Sequence, residues 1–457
     1  MIKEYDEGII WLPNTFTMRT KWLNTRFSLL KFILLLSLLG GFTYLHCIIR
    51  FTDIGKKHVL ISPEWVFRQN EATCSPVTNI AFLKNHKCAS SAIQNILFRY
   101  GFNHDLLFAL PETGNYFGGR MPFNNLMVRS APWFKLGLNI FAIHTKWNHQ
   151  EVKDIMPEGS VYITILREPV ALFESLFTFT NMGKVNNQSL DEFVATQDVN
   201  GKRHYGYLGY NQMAWDFGVP GPEIYNITYV QEMVEEADKA FELVMIAERM
   251  EESLVLMSHL LCWDITDVLV LKINARMAEF KKDMNEKTRT LLRKKLAPDY
   301  LIYNFFSQKF SKLVEDYGKE RMRRDVSRLK KATEQLMAEC GFAQEASGDM
   351  IGPNKPWSDQ VSGYQSLSKE SKCQQMSRSE ISFINLLRNK QRNQFLMKYG
   401  LGRMNGRDAL PMGAMALQGP GDVAERIKQL REELVYKVQA ESVEGNVTHG
   451  GKLNQSQ

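Results

Sequence analysis

Residues Ile80–Gly101 read IAFLKNHKCASSAIQNILFRYG, and the order of side chains in this stretch decides the fold. Four apolar residues suit a buried strand, Lys84 and Lys87 bracket a turn, and the small residues Ala89, Ser90, Ser91 and Ala92 open an amphipathic helix. A chain that leaves a strand, turns tightly and enters a helix gathers unpaired backbone N–H groups and the positive end of the helix dipole at one point. The reading is an anion cradle of P-loop type, in which Lys84 and Lys87 add charge and Ser90 and Ser91 add donors. It is not a Walker A sequence, because Asn85 and His86 stand where glycines would precede Lys87, and a kinase-like reading is disfavoured accordingly.

A second segment has the same logic. Val161–Phe179 reads VYITILREPVALFESLFTF: a buried strand, Arg167 at its end, a turn at Pro169, and a helix carrying Ser175. Open α/β sheets bind ligands beyond the carboxyl ends of their strands, and an arginine there offers a fork that matches phosphate. Ser175, about two turns into the helix, could face the same group. Further runs suited to strands are Val77–Leu83, Leu138–His144 and Leu243–Glu248. Helical patterns cover Ser90–Tyr100, Val170–Phe179, Met250–Cys262 and Glu286–Leu296. This alternation predicts an α/β fold around a central parallel sheet.

Two anion sites on neighbouring strand ends suit a nucleotide with phosphates in two places, as in 3′-phosphoadenosine 5′-phosphosulfate. From about Cys74 to Gly400 the chain resembles the galactose 3-O-sulfotransferase family, whose type member is galactosylceramide sulfotransferase. The resemblance rests on FLKNHKCASSAIQNILFRYG, ILREPVALFESLFTF, YNQMAWDFG from Tyr210, AERMEESLVLMSHLLCW from Ala247, LKINAR from Leu271 and PDYLIYNFF from Pro298. It implies a P-loop-like sulfotransferase fold, a type II Golgi membrane enzyme, and sulfate transfer to the 3-hydroxyl of galactose on glycolipid or glycoprotein glycans. By position, Lys87, Ser90 and Ser91 would hold the 5′-phosphosulfate, with Lys84 beside them, and Arg167 and Ser175 the 3′-phosphate. The family usually reads K-T-H-K-T-[GA]-S-S-T, so Asn85, Cys88 and Ala92 replace three threonines here, and Cys88 and Ala92 each remove a hydroxyl.

The transfer needs a base for the acceptor hydroxyl and a cation for the leaving phosphate oxygen. Lys87 suits the second task. For the first, neutral histidine is apt because its ordinary pKa is about 6.5, and two of the nine histidines are candidates. His144, within IHTKWN and matching a family histidine, is favoured as base; His86, next to Lys87, would position the donor. No metal is required, since a single sulfuryl group carries less charge than a phosphoryl group. The chain also lacks the D-x-D of metal-dependent glycosyltransferases and any C-x2-C or H-x3-H zinc spacing. Two alternatives stay open: another glycan acceptor, such as a different hexose or a glycosaminoglycan, and a weakly active relative that binds nucleotide or glycan in the lumen.

The rest of the chain sets the compartment. Phe32–Ile49, FILLLSLLGGFTYLHCII, is eighteen residues without a full charge, enough for one membrane span. Lys3, Arg19, Lys21, Arg26 and Lys31 precede it and favour a cytoplasmic N-terminus. The expected layout is a tail over 1–31, a signal-anchor over 32–49, a stem over 50–73, a catalytic domain over 74–400, and a linker, amphipathic helix and polar tail over 401–457. The helix Val423–Ala440 could pack on the body or on a twin chain, giving a homodimer. Sequons at Asn187, Asn226, Asn446 and Asn454 agree with a luminal body. Cys74, Cys262, Cys340 and Cys373 could form two disulfides, with three possible pairings. The composition of the 457 residues, 44% hydrophobic and 23% charged, excludes wholesale disorder and a polytopic membrane protein. A net charge of +6 is too weak, and a lumen the wrong place, for nucleic acid.

Overall fold

The computed structural model describes residues 62–68, 74–197, 203, 205–271, 275–276, 284–356, 358 and 361–399. The apolar run Phe32–Ile49, the linker Gly402–Gly421 and the helix Val423–Ala440 lie outside them. Among the described residues no helix is long and apolar enough to cross a membrane. The fold below is that of the unit that starts at Trp65.

The described residues form ten strands: β1 Ile80–Leu83, β2 Phe108–Ala109, β3 Tyr116–Pro122, β4 Ile140–Phe141, β5 His144–Lys146, β6 Val161–Leu166, β7 Leu243–Ile246, β8 Ala275–Arg276, β9 Phe342–Ala346 and β10 Val361–Ser366. Five of them form the expected parallel sheet in the order β2-β4-β1-β6-β7. β1 lies in the middle, with Ile80 opposite Ile140 on one side and Val161 on the other. Its four side chains are fully buried, which is why the sequence shows a continuous apolar run rather than an alternating one. Burial of Ile80, Phe82 and Leu83 contributes about 1.5–3 kcal/mol each. After β1 the chain goes to one side of the sheet, and after β6 to the other. The crevice between the ends of β1 and β6 is therefore the switch point at which such sheets take ligands.

Several boundaries differ from the sequence expectation. Leu138–His144 is not one strand. It breaks after β4, where Gln94 Nε2 donates to the Ala142 carbonyl at 2.6 Å, and His144 begins β5, which pairs with β3 in a separate two-stranded sheet. Val77 is not in β1, because it bonds the Leu261 carbonyl and takes the Trp263 indole N–H, at 2.9 and 3.0 Å. β7 stops at Ile246, and a 3-10 turn follows over Ala247–Arg249. β9, β10 and β8, in a small antiparallel sheet, carry no alternation strong enough to be read beforehand. Of the three cysteine pairings, the chain makes Cys74–Cys262 and Cys340–Cys373, and Cys88 is a buried free thiol.

The cradle helix Ser90–Asn103 packs on the sheet through Gly101. A Cβ at that position would collide with the Phe108 ring and stand 2.8 Å from Ile140 Cδ1. Alanine is the better helix former by about 1 kcal/mol, but overpacking a close contact costs about 1–3 kcal/mol. Gly101→Ala should therefore lower the melting temperature; a rise would mean that the Phe108 ring moves aside freely.

Candidate active site

The turn after β1 is shaped by two non-glycine residues in the left-handed region, Lys87 at φ 59° and Ala89 at φ 58°. Asn85 fastens it below, donating from Nδ2 to Thr164 Oγ1 at 2.9 Å and to the Ile165 carbonyl at 3.1 Å, while Thr164 Oγ1 donates to the Leu83 carbonyl at 2.8 Å. The Ser90 hydroxyl donates to the Asn85 carbonyl at 2.5 Å and closes the loop. The helix that follows has Ala89 as its N-cap and no side-chain capping bond, so its first-turn N–H groups suit an anion. Ser91 lies on that turn, half-buried.

The three departures from the family pattern can now be placed. Asn85 ties the loop to β6. Cys88 is fully buried, with Sγ donating weakly to the His86 carbonyl at 3.4 Å; burial, then the Asp216 charge, push its pKa well up, so it stays a thiol. Ala92 is buried in the first helical turn. Both side chains are buried, and each lacks the hydroxyl that a threonine would bring to the loop.

The second anion motif meets the first directly. Arg167, immediately after β6, donates from Nη1 to the Lys87 carbonyl at 3.0 Å. Lys87 Nζ lies 3.5 Å from the centre of the Phe179 ring. Ser175 is partly exposed on the same helix, Pro169–Phe179, and four residues before Phe179 it shares that face. This helix, unlike the cradle helix, already has a carboxylate at its start, because Glu168 accepts from the Ala171 N–H at 2.7 Å. An anion here would be held by the Arg167 and Ser175 side chains rather than by the helix dipole.

Behind the cradle the two histidines stack face to face, with ring centres 4.2 Å apart, but their hydrogen bonds differ. His86 donates its backbone N–H to Asp216 Oδ2 at 2.7 Å, and its Nδ1 lies 2.9 Å from both Asp216 oxygens. Asp216 is fully buried and also accepts from Gln212 Nε2 at 2.8 Å. This fixes the Nδ1–H tautomer of His86 and leaves Nε2 without a hydrogen-bond partner among the described residues. His144 has both nitrogens engaged: Nδ1 with the Lys84 carbonyl at 3.0 Å and Nε2 with Lys84 Nζ at 2.6 Å. Burial first, then the charge of Lys84, hold its pKa well below the ordinary histidine value. Lys84, expected to face the donor, is instead 1% exposed and paired with Glu380 Oε2 at 3.0 Å.

An aromatic and cationic wall completes the chamber. Tyr116 lies 5.9 Å from each histidine and 4.6 Å from Tyr207, ring centre to ring centre, and its buried hydroxyl has no hydrogen-bond partner among the described residues. Lys146 and Arg203 sit over the Trp215 ring at 4.0 and 4.8 Å. Burial, with Arg203 nearby, brings Lys146 down to about 8. Asp299 accepts from the Met213 and Ala214 N–H groups at 3.2 and 2.9 Å and so holds the start of the short helix Gln212–Asp216. Burial pushes its pKa up to about 7.

Sequence reasoning missed Asp216, Asp299, Glu380, Tyr116 and Tyr207. Asp216 and Asp299 stood inside the stretches YNQMAWDFG and PDYLIYNFF, where a carboxylate amid apolar residues was the available signal. Nothing local marks Glu380, which reaches Lys84 across 296 residues.

A family model described as galactose-3-O-sulfotransferase matches residues 18–391. Galactosylceramide sulfotransferase of Homo sapiens is 33% identical over 318 residues, which covers 65% of this chain and 73% of that protein. Galactose-3-O-sulfotransferase 3 of Bos taurus is 33% identical over 273 residues, 57% of this chain and 63% of its own length. Galactose-3-O-sulfotransferase 2 of Homo sapiens is 33% identical over 288 residues, 59% and 70% respectively. With a P-loop-like cradle, a second anion fork and a histidine held by a carboxylate, all inside the matched residues, the chain belongs to the galactose-3-O-sulfotransferase family.

Proposed function

We propose that this chain moves a sulfuryl group from 3′-phosphoadenosine 5′-phosphosulfate to the 3-hydroxyl of a galactose on a glycolipid or glycoprotein glycan, in the Golgi lumen behind an N-terminal membrane anchor. The observation that carries the reading is the direct link between the two anion motifs, the bond from Arg167 Nη1 to the Lys87 carbonyl. It joins the turn after β1 to the end of β6 at the switch point, which supports reading the two motifs as one two-phosphate site. The uncapped cradle helix, Lys87 and Ser91 suit the phosphosulfate end, and Arg167 with Ser175 suits the 3′-phosphate. Relatives named for galactosylceramide and for galactose are equally distant, at 33% identity, so the reading stops at the galactose they share.

In the step itself, the galactose oxygen attacks sulfur as its proton passes to a base, and the bond from sulfur to the 5′-phosphate oxygen breaks. Lys87 neutralises the charge that develops on that oxygen. For the base, the sequence favours His144, whereas the hydrogen bonding favours His86, whose Nδ1 is oriented by Asp216 in the manner of a carboxylate–histidine pair. Tyr116 and Tyr207 offer the apolar faces against which a sugar ring can lie, with the unpartnered Tyr116 hydroxyl in reach of a sugar hydroxyl.

Calorimetry with adenosine 3′,5′-bisphosphate tests the donor site. Charge-assisted hydrogen bonds of about 1.5–3 kcal/mol imply that Lys87→Ala and Arg167→Ala each weaken binding by about tenfold or more, and unchanged binding in both would sink the two-phosphate reading. For the base, transfer from labelled donor to a panel of galactosides should fall by about 10²–10⁴ in kcat for His86→Ala and Asp216→Asn, with bisphosphate affinity kept, and by less for His144→Gln. The reverse order would return the role to His144. Bisphosphate binding by a wild-type chain that transfers to no acceptor would favour the luminal binding module. A luminal body also implies N-glycan on the exposed Asn187; endoglycosidase treatment of the full chain should increase its mobility, less so in Asn187→Gln, and a chain without any N-glycan would contradict that topology.

A further inference from the structure

Lys84 is a cation with 1% of its side chain exposed, and an ammonium left alone in such a place would be costly. Its Nζ has two partners, Glu380 Oε2 at 3.0 Å and His144 Nε2 at 2.6 Å. A charged lysine can only donate, so His144 Nε2 must accept, and the proton of that ring sits on Nδ1, which donates to the Lys84 carbonyl at 3.0 Å. The ring is thus locked in one tautomer, and its face is the surface on which His86 stacks. Glu380 is the first residue of the helix Glu380–Lys398. Its second oxygen accepts from Asn115 Nδ2 at 3.0 Å, beside Tyr116, whose register partner across β3 and β5 is His144. One carboxylate therefore reaches both the lysine behind the histidines and the strand that lines their other side.

We propose that Glu380 is a positioning residue for sulfuryl transfer: its carboxylate keeps Lys84 charged against His144 Nε2, and His144, so fixed, is the platform that aims His86 at the acceptor hydroxyl. The proposal rests on the sulfotransferase reading of the site. Burial drives the Lys84 pKa down, and Glu380, by charge and by hydrogen bond, acts against it, with a smaller contribution from Asp216. The charged and titratable groups that face His144 are Lys84, His86, Lys87 and the stacked Tyr116; burial does most to keep its ring unprotonated, and the Lys84 cation at 2.6 Å comes next. Without Glu380 the pKa of the buried lysine falls further, its charge opposes protonation of His144 less, and His144 takes a proton at higher pH. Loss of the nearer positive charge outweighs loss of the farther negative one.

The experiment is steady-state transfer by the full-length chain, with wild type, Glu380→Gln, Glu380→Asp, Lys84→Met and the double variant Glu380→Gln/Lys84→Met. Glu380→Gln should lower kcat by about 10–100-fold with the donor KM within about twofold, and should move the acid limb of the pH profile upward; Glu380→Asp should recover part of kcat and restore the limb. In the Lys84→Met background the further change Glu380→Gln should cost little, because residues that act through one another are non-additive. Independent losses in the two single variants, or a fall in kcat with the acid limb unmoved and no recovery in Glu380→Asp, would make Glu380 a plain structural tie and overturn the proposal. A wild-type chain that transfers no sulfate removes the reading of the site and the proposal with it, whereas Glu380→Gln equal to an active wild type removes the proposal alone.

Discussion

A single buried carboxylate organises the centre of this protein. Asp216 takes the His86 backbone N–H, the His86 ring and the Gln212 amide, and its own carbonyl accepts from the Trp147 N–H at 2.9 Å. Those bonds join the cradle loop, the short helix Gln212–Asp216 and the end of β5. An unpaired carboxylate in that position would be severely destabilising, so the three elements must meet in one arrangement for the charge to be solvated by protein. The orientation of His86 is then a by-product of solving a desolvation problem, which explains why so exact a tautomer can be held without a metal-like anchor.

The cations around the chamber are arranged on the same principle. Lys87 is laid over Phe179, and Lys146 and Arg203 over Trp215, where the ring faces offer partial compensation without quenching the charge. Lys84 is neutralised by a carboxylate at close range. The result divides the positive charge in two: a set lying on aromatic faces, and a lysine paired with a carboxylate in the interior. Low dielectric makes the first set more effective on an anion than the same charges would be at the surface.

The sheet and the two strand-turn-helix units were legible in the sequence because they rest on local rules. A fully buried parallel strand is a continuous apolar run, and a cradle opens with small residues, so Ile80–Gly101 and Val161–Phe179 could be read in place. Lys87 meets Arg167, and the two histidines stack on each other. What escaped is of longer range. The break between β4 and β5 depends on Gln94 capturing a carbonyl from another element; the role of Lys84 depends on a carboxylate nearly three hundred residues away. β3 and β10, rich in glycine and serine, lack the alternation by which a half-exposed strand is recognised, and no spacing rule could have chosen between the cysteine pairings.

The first of those pairings has a mechanical meaning. The polypeptide enters β1 through Cys74 and Val77, and Cys74 is bonded to Cys262, while Val77 bonds the backbone of Leu261 and the indole of Trp263. Three successive residues at the end of the helix Met250–Leu261 thus clamp the approach to the central strand. Any tension arriving along the chain from upstream of Cys74 is carried by a covalent bond into that helix, and β1, with the cradle turn at its far end, is relieved of it. The turn is thereby insulated mechanically from a pull on the upstream chain.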